Sequence, residues 1–196
     1  MNIRESEQNS TTGEQTDEGK EVLIHVLDEV ERFFDDSSLP KAEKPELVIL
    51  MGGVATGKTT IRKEKYSSGY VVLDAPEIFL SLSRGKYYDF PVAFQEPMDL
   101  IGGMVAIQAV AERRNIVIEL IGGDFAELKA LMDAMLAIGY TISVHGIFCE
   151  LEEAVQRNLS RGDDSISAHY AEPFQRRWLF DAAKDALALG ADKSSQ

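Results

Sequence analysis

Leu47-Val48-Ile49-Leu50-Met51-Gly52-Gly53-Val54-Ala55-Thr56-Gly57-Lys58-Thr59 joins an unbroken apolar run to a glycine-rich segment that ends in a lysine and a threonine. Five consecutive apolar residues bounded by glycine read as a short strand buried on both faces, as in the interior of a parallel sheet. Gly52 to Thr59 has the G-x-x-x-x-G-K-T spacing of a phosphate-binding loop. In such a loop the glycines let backbone N–H groups turn toward a polyphosphate, while Lys58 adds a cation and Thr59 a magnesium-ligating hydroxyl at a helix start. Gly52, Gly53, Val54, Ala55, Thr56, Gly57, Lys58, Thr59 and Thr60 are therefore the expected nucleotide contacts. Thr59 is the expected metal ligand, and Mg-ATP or Mg-GTP the expected ligand.

Outward from the loop, apolar runs predict further strands over 70–73, 116–120 and 141–148, besides the first at 46–51. Helical spacing is expected over 58–66, 76–83, 98–115, 124–139, 151–160 and 173–189. Strands alternating with helices imply an α/β fold, a P-loop NTPase three-layer sandwich with a mainly parallel central sheet and helices on both faces. Residues 1–20 are polar and aperiodic and read as a disordered acidic tail, followed by one domain over 21–190. An amphipathic helix is expected over 21–36, since Val22, Leu23, Val26, Leu27, Val30, Phe33 and Phe34 recur at helical spacing. Arg84 to Pro97 reads as a long loop carrying Tyr87, Tyr88, Phe90 and Phe94, either a substrate lid or wall or an aromatic packing patch.

Composition sets the bounds. A chain of 196 residues with 44% hydrophobic and 27% charged residues suits a single domain with a sizeable core. The net charge of -13 is uneven, because residues 1–46 carry 13 acidic and 5 basic side chains. No basic stripe is present to neutralise a polynucleotide backbone, so a nucleic-acid partner is disfavoured. No apolar run reaches the roughly 20 residues that span a bilayer, and no leader pattern opens the chain. The single cysteine, Cys149, excludes an intrachain disulfide and fits a reducing compartment; a cytoplasmic protein without a membrane partner is expected. Cys149 reads as a strand-end residue, and His25 and His145 show no metal-ligand spacing.

In an open parallel sheet ligands sit beyond the carboxyl ends of the strands, which directs attention to Asp74 after the second strand and Glu119 at the end of the third. Asp124 reads as a helix N-cap. Phosphoryl transfer requires a residue that orients or deprotonates the acceptor, plus cations that stabilise the transferring group. Asp74 and Glu119 fit the acidic roles, and a carboxylate on a buried strand calls for a metal, a substrate hydroxyl or an arginine beside Glu119. Arg157 and Arg161 lie at i, i+4 before Gly162-Asp163-Asp164-Ser165, the layout of a lid over about 157–177, or alternatively of a solvated face paired with Glu153 or Asp164. The expected catalytic set is Lys58, Asp74, Glu119, Arg157 and Arg161. Of Arg176 and Arg177, at most one readily points into a site, and His169 reads as incidental.

With those residues in place, the chain resembles the zeta toxin family of P-loop kinases from about Glu21 to Ala183. The resemblance rests on Thr60-Ile61-Arg62 after the loop, Val71-Val72-Leu73-Asp74, Ile116-Val117-Ile118-Glu119, Gly139-Tyr140-Thr141 and the arginine-rich segment from Arg157 to Arg177. It implies ATP-dependent phosphorylation of a sugar hydroxyl of UDP-N-acetylglucosamine, an antitoxin protein as partner, ATP binding by Gly57, Lys58 and Thr59, substrate contact by Glu119 and phosphate stabilisation by Arg157. The sequence departs from the family pattern at four places. Pro76 stands where the family has its catalytic aspartate, which leaves Asp74 or Glu77 as base, and Ile121 replaces a hydroxyl residue. His169 stands near a second lid arginine, and no strand is readable after Trp178, so the sheet is expected to be one strand short. A kinase for another small hydroxyl acceptor, such as a nucleoside or an antibiotic, and a catalytically degenerate nucleotide-binding regulator are the alternatives.

Overall fold

Strand β1, Glu46–Met51, is the spine of the sheet, pairing in parallel with β3 (Asn115–Leu120) on one side and β4 (Thr141–Gly146) on the other. Strand β2, Tyr70–Leu73, adds in parallel to the far side of β3, giving the order β2-β3-β1-β4. The structure is a computed structural model and describes residues 26–34, 41–82, 92–121, 124–161 and 180–188. Among these, seven helices surround the sheet: α1 (26–32), α2 (Lys58–Lys65), α3 (Ala75–Leu82), α4 (Val92–Ala111), α5 (Phe125–Ala137), α6 (Leu151–Leu159) and α7 (180–188). The expected residues 1–20, 21–25, 35–36 and 162–177 of the tail, first helix and lid lie wholly outside the described residues, as does 84–91 of the aromatic segment.

Because side chains alternate along a strand, β1 feeds both faces. Leu47, Ile49 and Met51 enter the larger core with Val26 and Val30 of α1, Ile78 of α3, Ile101 and Val105 of α4, Met132 and Met135 of α5 and Ala183 of α7. Val48 and Leu50 point the other way, joining Val117 and the partly buried Ile61 and Tyr66 of and just after α2. This two-sided burial accounts for the unbroken apolar run.

Two helix ends are set by the same device. At the end of α5, Gly139 takes a positive φ of 86°, and Tyr140 N–H bonds Met135 O while Gly139 N–H bonds Leu136 O, a Schellman closure. At the end of α4, Arg113 takes the same left-handed position at φ 53°, with Arg114 N–H on Ala109 O and Arg113 N–H on Val110 O. The helix expected to run through Asn115 therefore stops at Ala111, and Asn115 opens β3. The Tyr140 hydroxyl donates to Arg114 O at 2.9 Å and ties the two turns together.

The start of α4 also differs from expectation. Helix begins at Val92, so Phe94 and Pro97 are helical and not part of a loop to residue 97. Proline has a helix-compatible φ and forfeits one hydrogen bond near this helix start, while Ile101, Val105 and Ala109 anchor the rest of α4 in the core.

Ile49 is fully buried at the centre of the sheet. Ile49→Ala should lower unfolding free energy by about 2–5 kcal/mol, whereas Lys63→Ala on the exposed side of α2 should stay within about 0.5 kcal/mol, read by denaturant titration.

Candidate active site at the phosphate-binding loop

The chain leaves β1 toward β2 on one side, then leaves β3 toward β4 on the other, so the point where the connections diverge lies between β1 and β3. That is where an open α/β sheet binds its ligand. The loop from Gly52 to Gly57 occupies this point. Gly52 N–H donates to Leu120 O at 3.0 Å, and Ile147 N–H donates to Met51 O at 2.7 Å, fixing the loop root between β3 and the segment after β4. A Cβ on Gly52 would lie 2.1 Å from the backbone oxygen of Ile147, so only glycine fits there. Gly57 caps α2 at φ 105°, a conformation that suits glycine and turns the chain into the helix.

Lys58 and Arg62 stand at i, i+4 on α2, and both are buried. Lys58 Nζ donates to Gly52 O at 3.0 Å and Gly53 O at 2.7 Å, holding the amine across the mouth of the loop. Thr56 Oγ1 donates to Gly53 O. Thr59 Oγ1 donates to Glu119 Oε2 at 3.1 Å, which places the hydroxyl expected to meet a metal directly against the strand-end acid.

Arg62 is the residue that sequence reading passed over as a site residue. Its Nε donates to Glu119 Oε1 at 2.7 Å, and its Nη2 donates to Asp74 Oδ2 at 3.1 Å and Glu77 Oε1 at 2.7 Å. The requirement for a partner beside Glu119 and the i, i+4 spacing from Lys58 were the available signals. Burial works against the guanidinium charge, but hydrogen bonds to Glu119 and Glu77 and the charges of Glu77 and Asp74 outweigh it and hold its pKa above the ordinary value.

Asp74 is 2% exposed, and its Oδ1 has no hydrogen-bond partner. Burial, followed by the charge of Glu119, raises its pKa from 3.8 to about 7 against the opposing pull of Arg62. One cation shared by three carboxylates cannot neutralise all of them, and the longest of the three contacts falls to Asp74. Asp74 is thus poised to gain or lose a proton near neutrality.

Lys58, Thr59, Asp74 and Glu119 line a cleft of about 280 Å³ together with Val54, Ala55, Gly57, Thr60, Ala75, Pro76, Leu120, Ile121 and Arg161, while Arg62 and Glu77 stand behind its wall. Pro76 sits in the first turn of α3, where a missing N–H is tolerated, and its side chain offers the cleft no polar atom. Ile121 packs on Val54 and Ala55, making that wall apolar. Of the two arginines expected from the lid, Arg161 reaches the cleft, whereas Arg157 pairs with Glu153 on the exposed side of α6. The helix ends at Leu159, so the two side chains no longer share a helical face. Arg176, Arg177 and His169 lie outside the described residues. Asp124 caps α5 by accepting from Ala126 N–H at 2.7 Å and stands apart from the cleft. Cys149 has its thiol pKa raised by burial, the opposite of an activated nucleophile.

The donor set suits a magnesium ion delivered with a nucleotide. Thr59 offers a hydroxyl, Glu119 sits behind it, and the three carboxylates outnumber the single guanidinium they share. Among the described residues, no cluster of three or more His, Cys, Asp or Glu could bind a metal by itself, so phosphate oxygens would have to supply further ligands.

A parallel sheet with this strand order, a phosphate-binding loop after its spine and acids at two strand ends define a P-loop kinase-like α/β fold. The sequence profile of the zeta toxin family, described as Zeta toxin, matches residues 30–187, and the chain belongs to that family. Among solved structures, it is similar to one from the PezAT chromosomal toxin-antitoxin system of Streptococcus pneumoniae, with TM-score 0.56 and 18% identity over 72% of this chain and 62% of that one. The chain thus spans about three fifths of the length of that relative. It also resembles a candidate kinase from Chloroflexus aurantiacus, with TM-score 0.50 and 17% identity over 69% of this chain and 75% of that one. A third likeness is to the AvrRxo1-ORF1:-ORF2 complex with ATP, with TM-score 0.50 and 16% identity over 86% of this chain and 53% of that one. A search of curated protein sequences finds no significant match. No described helix is long and apolar enough to cross a membrane.

The raised pKa of Asp74 makes the folded state hold a proton that the unfolded chain releases. The contribution of Asp74 to stability is therefore full below about pH 4 and is lost as pH rises through about 7. Asp74→Asn, neutral at every pH, should be more stable than the wild type at pH 8 by roughly 2–4 kcal/mol, with the difference narrowing as pH falls and closing near pH 4. Denaturant unfolding at the two pH values checks this, and an equal or less stable variant at pH 8 contradicts it.

Proposed function

We propose that this protein is an ATP-dependent kinase that phosphorylates a hydroxyl of a small molecule, with a sugar nucleotide such as UDP-N-acetylglucosamine as the leading acceptor. The observation that carries the reading is Asp74 Oδ1, buried on the cleft wall beyond β2 without a hydrogen-bond partner. A buried acceptor atom of that kind suits a hydroxyl proton. Its pKa near 7 matches a general base working at neutral pH, and Pro76 leaves the position two residues on without a competing acid.

In this reading the backbone of residues 52–57 cradles the triphosphate, and Lys58 leaves the Gly52 and Gly53 carbonyls to meet the β- and γ-phosphates. Thr59 and Glu119 form the side of the cleft that would hold magnesium, which when bound neutralises charge on the phosphate oxygens. Asp74 orients the acceptor hydroxyl and takes its proton as the oxygen attacks the γ-phosphorus and the bond to the leaving ADP oxygen breaks. Arg161 at the cleft mouth offers positive charge to the transferring group. Arg157, paired with Glu153, would have to leave that partner to share the task.

The acceptor identity rests on the family. One observation favours a different hydroxyl compound: the wall formed by Val54, Ala55 and Ile121 is apolar beside Glu119, where the family pattern has a hydroxyl side chain. The ATP seen with AvrRxo1 supports ATP as donor, and the toxin-antitoxin relative supports an antitoxin as a protein partner. A cytoplasmic location accords with both proposals.

Incubation with Mg-ATP and a panel of sugar nucleotides, nucleosides and aminoglycosides, read by mass spectrometry, tests the proposal. Wild type should give a product heavier by one phosphoryl group, with kcat/KM rising through an apparent pKa near 7. Asp74→Asn should lower kcat by about 10²–10⁴-fold. Nucleotide binding without transfer to any member of the panel would instead favour the regulatory alternative.

A further inference from the structure

Asp74 and Glu119 stand side by side, because Leu73 pairs with Ile118 across parallel strands. Adjacent strands lie roughly 4.8 Å apart, so two buried carboxylates there repel each other and gain little from water. Left alone they would turn apart or one would take up a proton. Arg62 changes this arrangement, because its planar fork presents donors at fixed separation. One donor, Nε, meets Glu119 Oε1, and another, Nη2, meets Asp74 Oδ2.

The pattern of occupancy is selective. Arg62 takes one oxygen from each acid and leaves the other unengaged by the guanidinium: Oε2 of Glu119 accepts from the Thr59 hydroxyl, and Oδ1 of Asp74 is buried without a partner. Glu77 completes the fork from the first turn of α3 at 2.7 Å, and its side chain is 36% exposed, against 6% for Arg62. The guanidinium therefore joins α2, which carries Lys58 and Thr59, to the ends of β2 and β3 and to α3.

The geometry points to Arg62 as a positioning residue for phosphoryl transfer: it holds Asp74 and Glu119 in register with the phosphate-binding helix, so that each presents one oxygen to the reacting groups. It acts through these two acids and touches neither donor nor acceptor. This inference rests on the kinase reading above, and extends it to a residue whose loss should affect the chemical step more than nucleotide capture.

Arg62→Lys and Arg62→Ala, compared with the wild type, test it. Lysine keeps the charge and favours folding but cannot reproduce the two-donor fork. Arg62→Lys should bind Mg-ATP within about threefold of the wild type and lose about 100-fold in kcat, as expected when reacting groups are misplaced by about 1 Å. In Arg62→Ala the acid limb of the rate profile should move to higher pH, because Asp74 keeps Glu119 and Glu77 as negative neighbours and only Lys58 as a positive one. Added guanidinium at concentrations below those that denature should partly restore kcat in Arg62→Ala and not in Arg62→Lys. A merely structural role would lower melting temperature, Mg-ATP affinity and kcat together, with no pH shift and no rescue, and that result overturns the inference. Wild-type transfer undiminished in Arg62→Lys overturns it as well, leaving the kinase reading intact. Absence of transfer by the wild type to any acceptor overturns the kinase reading and the role of Arg62 with it.

Discussion

Three carboxylates, from the end of β2, from β3 and from α3, converge on the guanidinium of Arg62, which ties these elements to the phosphate-binding helix. Placing Asp74 and Glu119 at nearly full burial is unfavourable, and breaking a buried ion pair by removing one partner typically costs about 3–5 kcal/mol. The penalty is not fully relieved here. One guanidinium serves three acids, so residual strain collects at the most buried acid with the longest contact, and Asp74 is pushed toward neutrality. The constraint that makes the site costly to fold thus also gives Asp74 a proton affinity useful for base catalysis.

The sheet provides the rigidity this arrangement needs. With Leu47, Ile49 and Met51 in one core and Val48 and Leu50 in the other, β1 cannot shift register without turning both sets of side chains the wrong way. Leu50 pairs with Glu119, so the same register that fixes the core sets the acid opposite the root of the phosphate-binding loop. The steric demand at Gly52 and the positive φ at Gly57 then determine how the loop leaves β1 and enters α2. Core packing and site geometry are parts of one constraint.

Local chemistry was readable in the sequence. The apolar run, the glycine spacing of the loop, the cap at Asp124 and the helix stop at Gly139 each depend on residues within a few positions of one another. Interactions between distant segments were not readable. Arg62 lies 57 residues from Glu119 and 12 from Asp74, and no periodicity reports such a meeting. Arg113 in a left-handed turn looks like an ordinary helical arginine until its hydrogen bonds are seen, and Pro97 looks like a boundary although the buried residues after it carry α4 onward. Arg157 and Arg161 resembled one pair at helical spacing, but the helix ends between them.

The claim on which the rest depends is that the β1–loop–α2 unit holds a magnesium nucleotide. Titration calorimetry of the full chain with ATP or GTP, with and without magnesium, addresses it directly. Saturable binding of at least one nucleotide with 1:1 stoichiometry, strengthened by magnesium and abolished in Lys58→Ala, is the predicted result. No binding of either nucleotide in the presence of magnesium would contradict the account.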